Sequence, residues 1–480
     1  MSEERRESRP VFPEASREQW RAAAERALKG QPLDEALRSF TDDGIPIEPL
    51  APRRPDAAVW RGKRARPALL GRMDDPDPAR ANAQAHRELA EGADGLALVF
   101  AGAPTAHGFG LAASLKALQQ VLDGIPLGRI VLRVDAHPSS RQSAEWLLML
   151  LGKARVDPAR LELSFGIDPA AIFGGTGRLK MSIEALEASL PPSLAHYFAL
   201  GAPGVLLEAD GRVFHEAGAT EAQELGAILS SALSYLRMFE EARQPLVYAA
   251  PHIGFALSVD QDQLLGLAKL RATRVLWARL AESCGLEVEP VAIHAETSRR
   301  MLTRKDPETN IVRNTVAAFT AIAGGADSLS LLPHTLPRGL PDPFARRLAR
   351  NTALVLAQEA HLGSVQDPAS GAGAIEALTD RLCETAWDEF RRIEGEGGIL
   401  RSLEAGAFQA RIREARERRE KAVRDGERII IGTTHHALKE ERAVAVLNAS
   451  PRGRSQAEGV AVCEPLLPVP LNAAVEEASQ

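Results

Sequence analysis

The chain has 480 residues, of which 45% are hydrophobic and 25% charged. That is the balance of a folded globular protein and excludes a disordered or collagen-like chain. Its 58 basic and 64 acidic residues leave a net charge of −6, so there is no global basic field to hold a nucleic acid or an anionic membrane. Cys284, Cys383 and Cys463 are far apart, odd in number and match no metal-ligand spacing, which points to reduced thiols. The charged N-terminus leads into no apolar core of a secretory signal, and no run of about 18 apolar residues reads as a membrane span. A soluble, cytoplasmic protein is expected.

Residues 1–60 read as an extended N-terminal arm. A short amphipathic segment from Trp20 to Leu37 precedes the Pro-rich text Gly44-Ile-Pro-Ile-Glu-Pro-Leu-Ala-Pro, which can enter neither a helix interior nor a central strand. From about residue 65, short apolar runs alternate with helical stretches. The runs beginning at Gly95, Ile130, Leu161, Gly204, Leu246, Val291 and Asp327 read as strands. Between them, Leu111–Leu122, Ala144–Leu151, Glu221–Glu241, Leu264–Ala281 and Asn310–Ile322 read as helices. In the third of these, Leu225, Ile228, Leu229, Ala232, Leu233 and Leu236 form the stripe of a helix laid on a sheet.

Strand–helix alternation of this length implies parallel strands with crossovers. Its unit sizes fit a (β/α)₈ TIM-type barrel, and no GxGxxG or GxxxxGK[ST] at a strand–helix junction argues for a nucleotide-binding open sheet. The barrel is placed at residues 61–340. A helical segment at 341–448 completes it, with helices at Phe344–Leu362 and Ala374–Ile393 and a charge-alternating stretch from Arg411 to Lys421 that reads as a solvated helix face. Residues 449–480 read as a linker-like tail.

Histidines are the first candidates for acid–base work. His107 follows the strand at Gly95, His252 the run at Leu246, and His294 the strand at Val291. In a parallel barrel all three places lie on the C-terminal face, where catalytic groups gather. Each could equally order its loop by hydrogen bonding. His435-His436 points to opposite sides in an extended chain and reads as a surface loop rather than a metal pair. Asp135-Ala-His137 begins the D-x-H-x-x-G pattern of cobalamin sites, but Ser140 replaces the glycine and the match reads as coincidence. The sequence contains no Ser-His-Asp order, HExxH or CxxC.

Six segments, in order, resemble the adenosylcobalamin-dependent acyl-CoA mutases, in particular methylmalonyl-CoA mutase. They are Glu216-Ala-Gly-Ala-Thr-Glu-Ala-Gln-Glu-Leu-Gly, Ala268-Lys-Leu-Arg-Ala-Thr-Arg-Val-Leu-Trp, Asp306-Pro-Glu-Thr-Asn-Ile-Val-Arg-Asn-Thr, Arg347-Leu-Ala-Arg-Asn-Thr, Val365-Gln-Asp-Pro-Ala-Ser-Gly-Ala-Gly and Arg428 to Gly432. The resemblance covers roughly residues 60–435. It implies a barrel that in the family binds coenzyme A along its axis.

The departures bear on activity. Where the family reads GYHMQEAGA, with a histidine on the substrate thioester, this chain has Val213. His215 lies two residues on, a ~6.6 Å step along the same face if the segment is extended. Met73 stands where the family's RPWTIRQYAGF places a tyrosine. Arg299 and Arg300 replace the Gly-Trp of QTSGWSL, and Ser330 the histidine of SLHTNA. Valine and methionine can neither donate hydrogen bonds nor exchange protons. The family's cobalamin-binding α/β module of about 130 residues is not expected in the short tail.

The resemblance therefore implies a small, β-type subunit of a heterodimeric bacterial methylmalonyl-CoA mutase. Such a subunit is non-catalytic, with no catalytic, cofactor-binding or metal-ligating residues of its own. It stabilises a large catalytic subunit that binds adenosylcobalamin, and the complex interconverts methylmalonyl-CoA and succinyl-CoA. Two alternatives stay open. One is the substrate-binding chain of a split acyl-CoA mutase that borrows cobalamin from a separate protein. The other is a free acyl-CoA binding or chaperone protein.

Overall fold

Eight parallel strands close into a barrel in the computed structural model, which describes residues 15–60, 62–201, 204–451 and 459–476. The strands are β1 (Ala68–Met73), β2 (Gly95–Leu98), β3 (Val131–Val134), β4 (Glu162–Ile167), β5 (Gly204–Asp210), β6 (Ile253–Val259), β7 (Ala292–Thr297) and β8 (Ser328–Ser330). They pair in sequence order, and β8 returns to β1 through Ser328 opposite Ala68. The eight helices that follow them are α1 (Pro78–Ala90), α2 (Leu115–Val121), α3 (Ser140–Lys153), α4 (Ile183–Ala199), α5 (Glu221–Glu241), α6 (Gln263–Ser283), α7 (Thr309–Ala323) and α8 (Pro343–Leu354). This is the (β/α)₈ barrel expected. Two further long helices are α9 (Gly373–Gly395) and α10 (Ala407–Arg424).

Strand alternation sorts the barrel chemically. Leu69, Leu96, Leu132, Phe255, Leu257 and Ile293 join the main hydrophobic core. There Phe255 meets Trp277 of α6 edge to face at 5.7 Å. The alternate residues Arg72, Arg133, Glu208, His294 and Glu296 are buried too. α5 opens with a reciprocal cap, in which Thr220 accepts from Gln223 N and the Gln223 side chain accepts from Thr220 N. Thr220→Ala should lower the unfolding free energy by about 1 kcal/mol, read as a shifted urea midpoint at constant slope.

Several local expectations need correction. The run at Leu246 is a helical turn, Leu246–Ala249, set up by Pro245 at its N-cap. The strand of that unit is β6, beyond Pro251. β1 was also not expected as a strand. Trp20–Leu37 breaks into two helices, Arg17–Ala27 and Leu33–Leu37. The helix read as Phe344–Leu362 keeps its regular turns only to Leu354, after which the turn widens and Ala360 N donates to Val355 O at 2.9 Å. The charged face of α10 is not wholly solvated. Arg411 binds Glu389 at 2.7 Å and Glu396 at 2.6 Å, and Arg419 binds Asp42 at 2.8 Å.

The described parts of both flanking segments lie on the chain's own barrel domain. Asp42 bridges Arg419 and Arg428, Arg54 N donates to Gly371 O, and Trp60 N donates to the Asp367 carboxylate at 2.9 Å. Residues 459–476 cross the C-terminal face of the barrel. Ala461–Val462 pairs antiparallel with Arg178–Leu179. Further on, Leu466 N donates to Gly174 O, Val469 N to Glu216 O and Leu471 N to Arg300 O, each at 2.7–2.8 Å. Among the described residues, no helix is long and apolar enough to cross a membrane.

Candidate functional site

The barrel axis is occupied by charge. Arg72 on β1 bonds Glu296 of β7 at 2.8 Å and Asp74 at 3.0 Å. Arg133 on β3 bonds Asp135 at 2.6 Å and pairs with Glu208 of β5. Arg212, just past β5, holds Asp210 at 2.6 Å and reaches Asp135 and Glu296, each at 3.1 Å. Every one of these side chains is at most 4% exposed. Arg72–Glu296, Arg133–Glu208 and the contacts of Arg212 with Asp135 and Glu296 join non-adjacent strands and cross the interior, while Arg72–Asp74, Arg133–Asp135 and Arg212–Asp210 run along their own strands.

The charges balance within the network. Burial pushes Asp135 up, but Arg212, Arg133 and Arg72 outweigh it and hold the carboxyl well below its usual range. Burial likewise raises Glu208, to about 7. Arg346 adds a second guanidinium on Asp74 at 2.7 Å. Below about pH 7, where Glu208 keeps its proton, Arg72, Arg133, Arg212 and Arg346 face Asp74, Asp135, Asp210 and Glu296, four against four.

Above the network the turn Pro104–Ala106 is seated into the mouth. Thr105 donates to Asp135 at 2.7 Å, and its carbonyl accepts from Arg72. The other side of that turn forms one wall of a cavity of about 660 Å³ on the C-terminal face. His107, His137, Glu216, Arg299 and Arg300 also line it, and Pro468–Pro470 of the tail covers part of it. The turn thus stands between this cavity and the ion-pair network.

The candidate histidines divide. His107 and His137 do lie at the mouth. His137 is committed there, bonded to Ser143 Oγ at 2.9 Å and to Ser139 N through Nδ1, with its ring against Phe100 at 4.7 Å. His252 precedes β6 and lies at the opposite end of the barrel, bonded to Gly204 O. His294 is inside the barrel in mid-strand, bonded to Ser328 Oγ at 2.8 Å. His435 and His436 are exposed in a turn. Burial drives His107 and His294 well below the usual imidazole range and His137 to about 3. Near neutral pH these rings are uncharged, unlike a poised general acid.

The segment after β5 is helical, Arg212–Glu216, and this overturns the shared face expected for Val213 and His215. Val213 is packed at the rim. His215 turns into the wall, bonded to Ser298 Oγ at 2.9 Å with Glu224 at 3.3 Å from Nδ1. Met73 is fully buried in the hydrophobic core, and Ser330 donates to Leu70 O. Arg300 donates to His215 O and Ala219 O and pairs with Glu221 and Asp260. Arg299 N donates to Glu216 Oε1 at 2.7 Å.

The sequence marks Glu216 only as the start of a motif. Its Oε2 is buried without a hydrogen bond among the described residues, and burial lifts the carboxyl to about 7. Between about pH 4.5 and 7 the folded form keeps a proton that the unfolded chain releases. This group's contribution to stability therefore falls as pH rises across that window. Glu216→Gln should gain up to about 3 kcal/mol on the wild type between pH 5 and pH 8, measured by urea unfolding at both pH values.

A family model described as methylmalonyl-CoA mutase matches residues 73–463. The chain is 36% identical to the methylmalonyl-CoA mutase small subunit of Streptomyces virginiae, over 90% of this chain and 72% of that one. It is 31% identical to the small subunit of Propionibacterium freudenreichii subsp. shermanii, over 82% and 64%. The methylmalonyl-CoA mutase large subunit of the same Streptomyces species is 26% identical, over 91% and 64%. The chain thus spans about two thirds of the length of these relatives. With a closed eight-stranded barrel and a match over most of its length, this chain belongs to the methylmalonyl-CoA mutase family.

Proposed function

We propose that this chain is the small, non-catalytic subunit of a cytoplasmic, heterodimeric methylmalonyl-CoA mutase. It stabilises a large catalytic chain, and the complex, an isomerase, interconverts methylmalonyl-CoA and succinyl-CoA. The observation that carries this reading is the filled axis. A pantetheine arm threading the barrel would have to displace buried Arg133, Glu208, Arg72 and Glu296, leaving charges without partners at several kcal/mol each. Val213 and Met73, at the positions aligned with the family's reactive histidine and tyrosine, add no group able to move a proton.

The mouth does not fit adenosylcobalamin either. Both nitrogens of His137 are already engaged, and the tail segment Pro468–Pro470 covers part of the mouth cavity, so these residues would offer a cobalamin no free imidazole and a partly closed mouth. The cofactor is accordingly assigned to the large subunit. The relatives support a two-chain enzyme, since small and large subunits are both found in one Streptomyces species.

The test is co-expression with the large mutase chain of the same organism, followed by size exclusion with mass determination and an assay of each species. The expected result is a 1:1 complex that carries all the activity, with this chain inert alone when adenosylcobalamin is added. A chain that stays monomeric beside the large one would sink the reading.

A further inference from the structure

The mouth cavity continues sideways. A second cavity of about 250 Å³ opens between α3 and α4 and shares His137, Pro138, Ser139, Arg178, Leu179 and Lys180 with the first. Its deeper wall is aliphatic: Ile167, Ile172, Met181, Leu186 and Leu190. The shared stretch is cationic. Arg178 and Lys180 are exposed and, among the described residues, form no ion pair. Arg141 is half-buried against the Ser189 hydroxyl at 3.4 Å, and burial pushes its guanidinium down. The N-terminal turn of the 14-residue α3 faces the same place: Ser140 N is taken by His137 O at 2.9 Å, but Ser139 makes no side-chain cap bond, so the positive helix end is not neutralised by a side chain.

We propose that this cleft binds a single-tailed organic anion, with its head at Arg178, Lys180 and the start of α3 and its aliphatic tail between α3 and α4. The head is a carboxylate or a phosphate monoester, since both satisfy clustered guanidinium and ammonium donors. The ligand enters from the side of the barrel, because the axis is closed. The inference does not depend on the subunit reading: a chain that assembles with a large subunit but binds no such anion leaves that reading intact.

Isothermal titration of the full chain with octanoate, octyl phosphate and octanol tests it. At least one of the two anions should bind, with octanol at least about tenfold weaker, equivalent to about 1.4 kcal/mol. The double variant Arg178→Ala/Lys180→Ala, in which both side chains are exposed, should lose at least about tenfold in affinity for the anion. Ile172→Trp, which fills the tail groove, should remove binding. If that variant fails to fold, the charge variant carries the test alone. The ratio of octanoate to octyl phosphate affinity identifies the head. No binding of either anion at millimolar concentration, equal binding of octanol, or an unchanged double variant would each overturn the proposal.

Discussion

Arg212→Met should lower the unfolding free energy by about 3–5 kcal/mol, the largest loss expected from any single charge removal in this barrel. The guanidinium at position 212 is 1% exposed and touches Asp210, Asp135 and Glu296. Burial disfavours its charge, yet those three carboxylates outweigh burial and hold the guanidinium protonated. Methionine keeps the stem volume and removes the one cation they share. Asp135 keeps Arg133 and Arg72, but Asp210 is left without its strongest partner. The double change Arg133→Met/Glu208→Leu should cost less, about 1–2 kcal/mol, because Glu208 leaves with its partner and Asp135, which loses Arg133, keeps Arg212 at 3.1 Å and the Thr105 hydroxyl at 2.7 Å. Urea unfolding of the two variants separates the cases. Equal losses would mean that the axis is held by packing rather than by charge.

Most of the barrel was legible as alternating periods, and the errors have specific causes. Leu246–Ala249 is a four-residue apolar run, too short for periodicity to decide between strand and helix. Pro245 supplies the fixed φ of a helix start, and Pro251 ends the turn before β6 begins. β1 escaped notice because Gly71 and Arg72 interrupt its apolar run. The second exception follows from a barrel whose inner face is polar, so that some of its strands lose the continuous apolar character of buried parallel strands.

The filled axis has its own signal in the sequence. Arg133 and Asp135 sit two apart at the end of an apolar strand, and Glu208, Asp210 and Arg212 follow the same spacing. In a strand, residues two apart share a face, so charges at that interval inside apolar runs mark a charged interior. What the sequence could not give is partner choice. Arg72 and Glu296 are 224 residues apart and meet only because β8 returns to β1. The sideways cleft is hidden for the same reason, since Arg141 comes from one strand–helix unit and Arg178 and Lys180 from the next. The expected relation between Val213 and His215 failed on a local matter: an extended segment was assumed where one turn of helix forms.

Gly166→Ala should be nearly as costly as Arg212→Met, about 3–5 kcal/mol with poor soluble yield. Gly166 has φ of +53°, and a Cβ there would stand 1.9 Å from Val134 O of the neighbouring strand. No rotamer relieves a contact with backbone. The position lies where the pairing of β4 with β5 shifts register between Ser164 and Ile167, a bulge that only glycine accommodates at no steric cost. That bulge aims Asp168, which accepts from Asp210 N at 2.8 Å, from the Tyr235 hydroxyl at 2.6 Å and from Ala170 N at 2.8 Å. Asp168 therefore ties β4 to β5 and α5 next to Arg212, and moving it would loosen the axial network from below its mouth. Gly152→Ala is the control: it lies near the end of α3 with nothing within 4 Å of an added Cβ, so it should gain about 0.5–1 kcal/mol. Urea midpoints of the pair test the argument directly. A tolerated alanine at 166 would mean that β4 can pair without its bulge, and that the position of Arg212 does not depend on it.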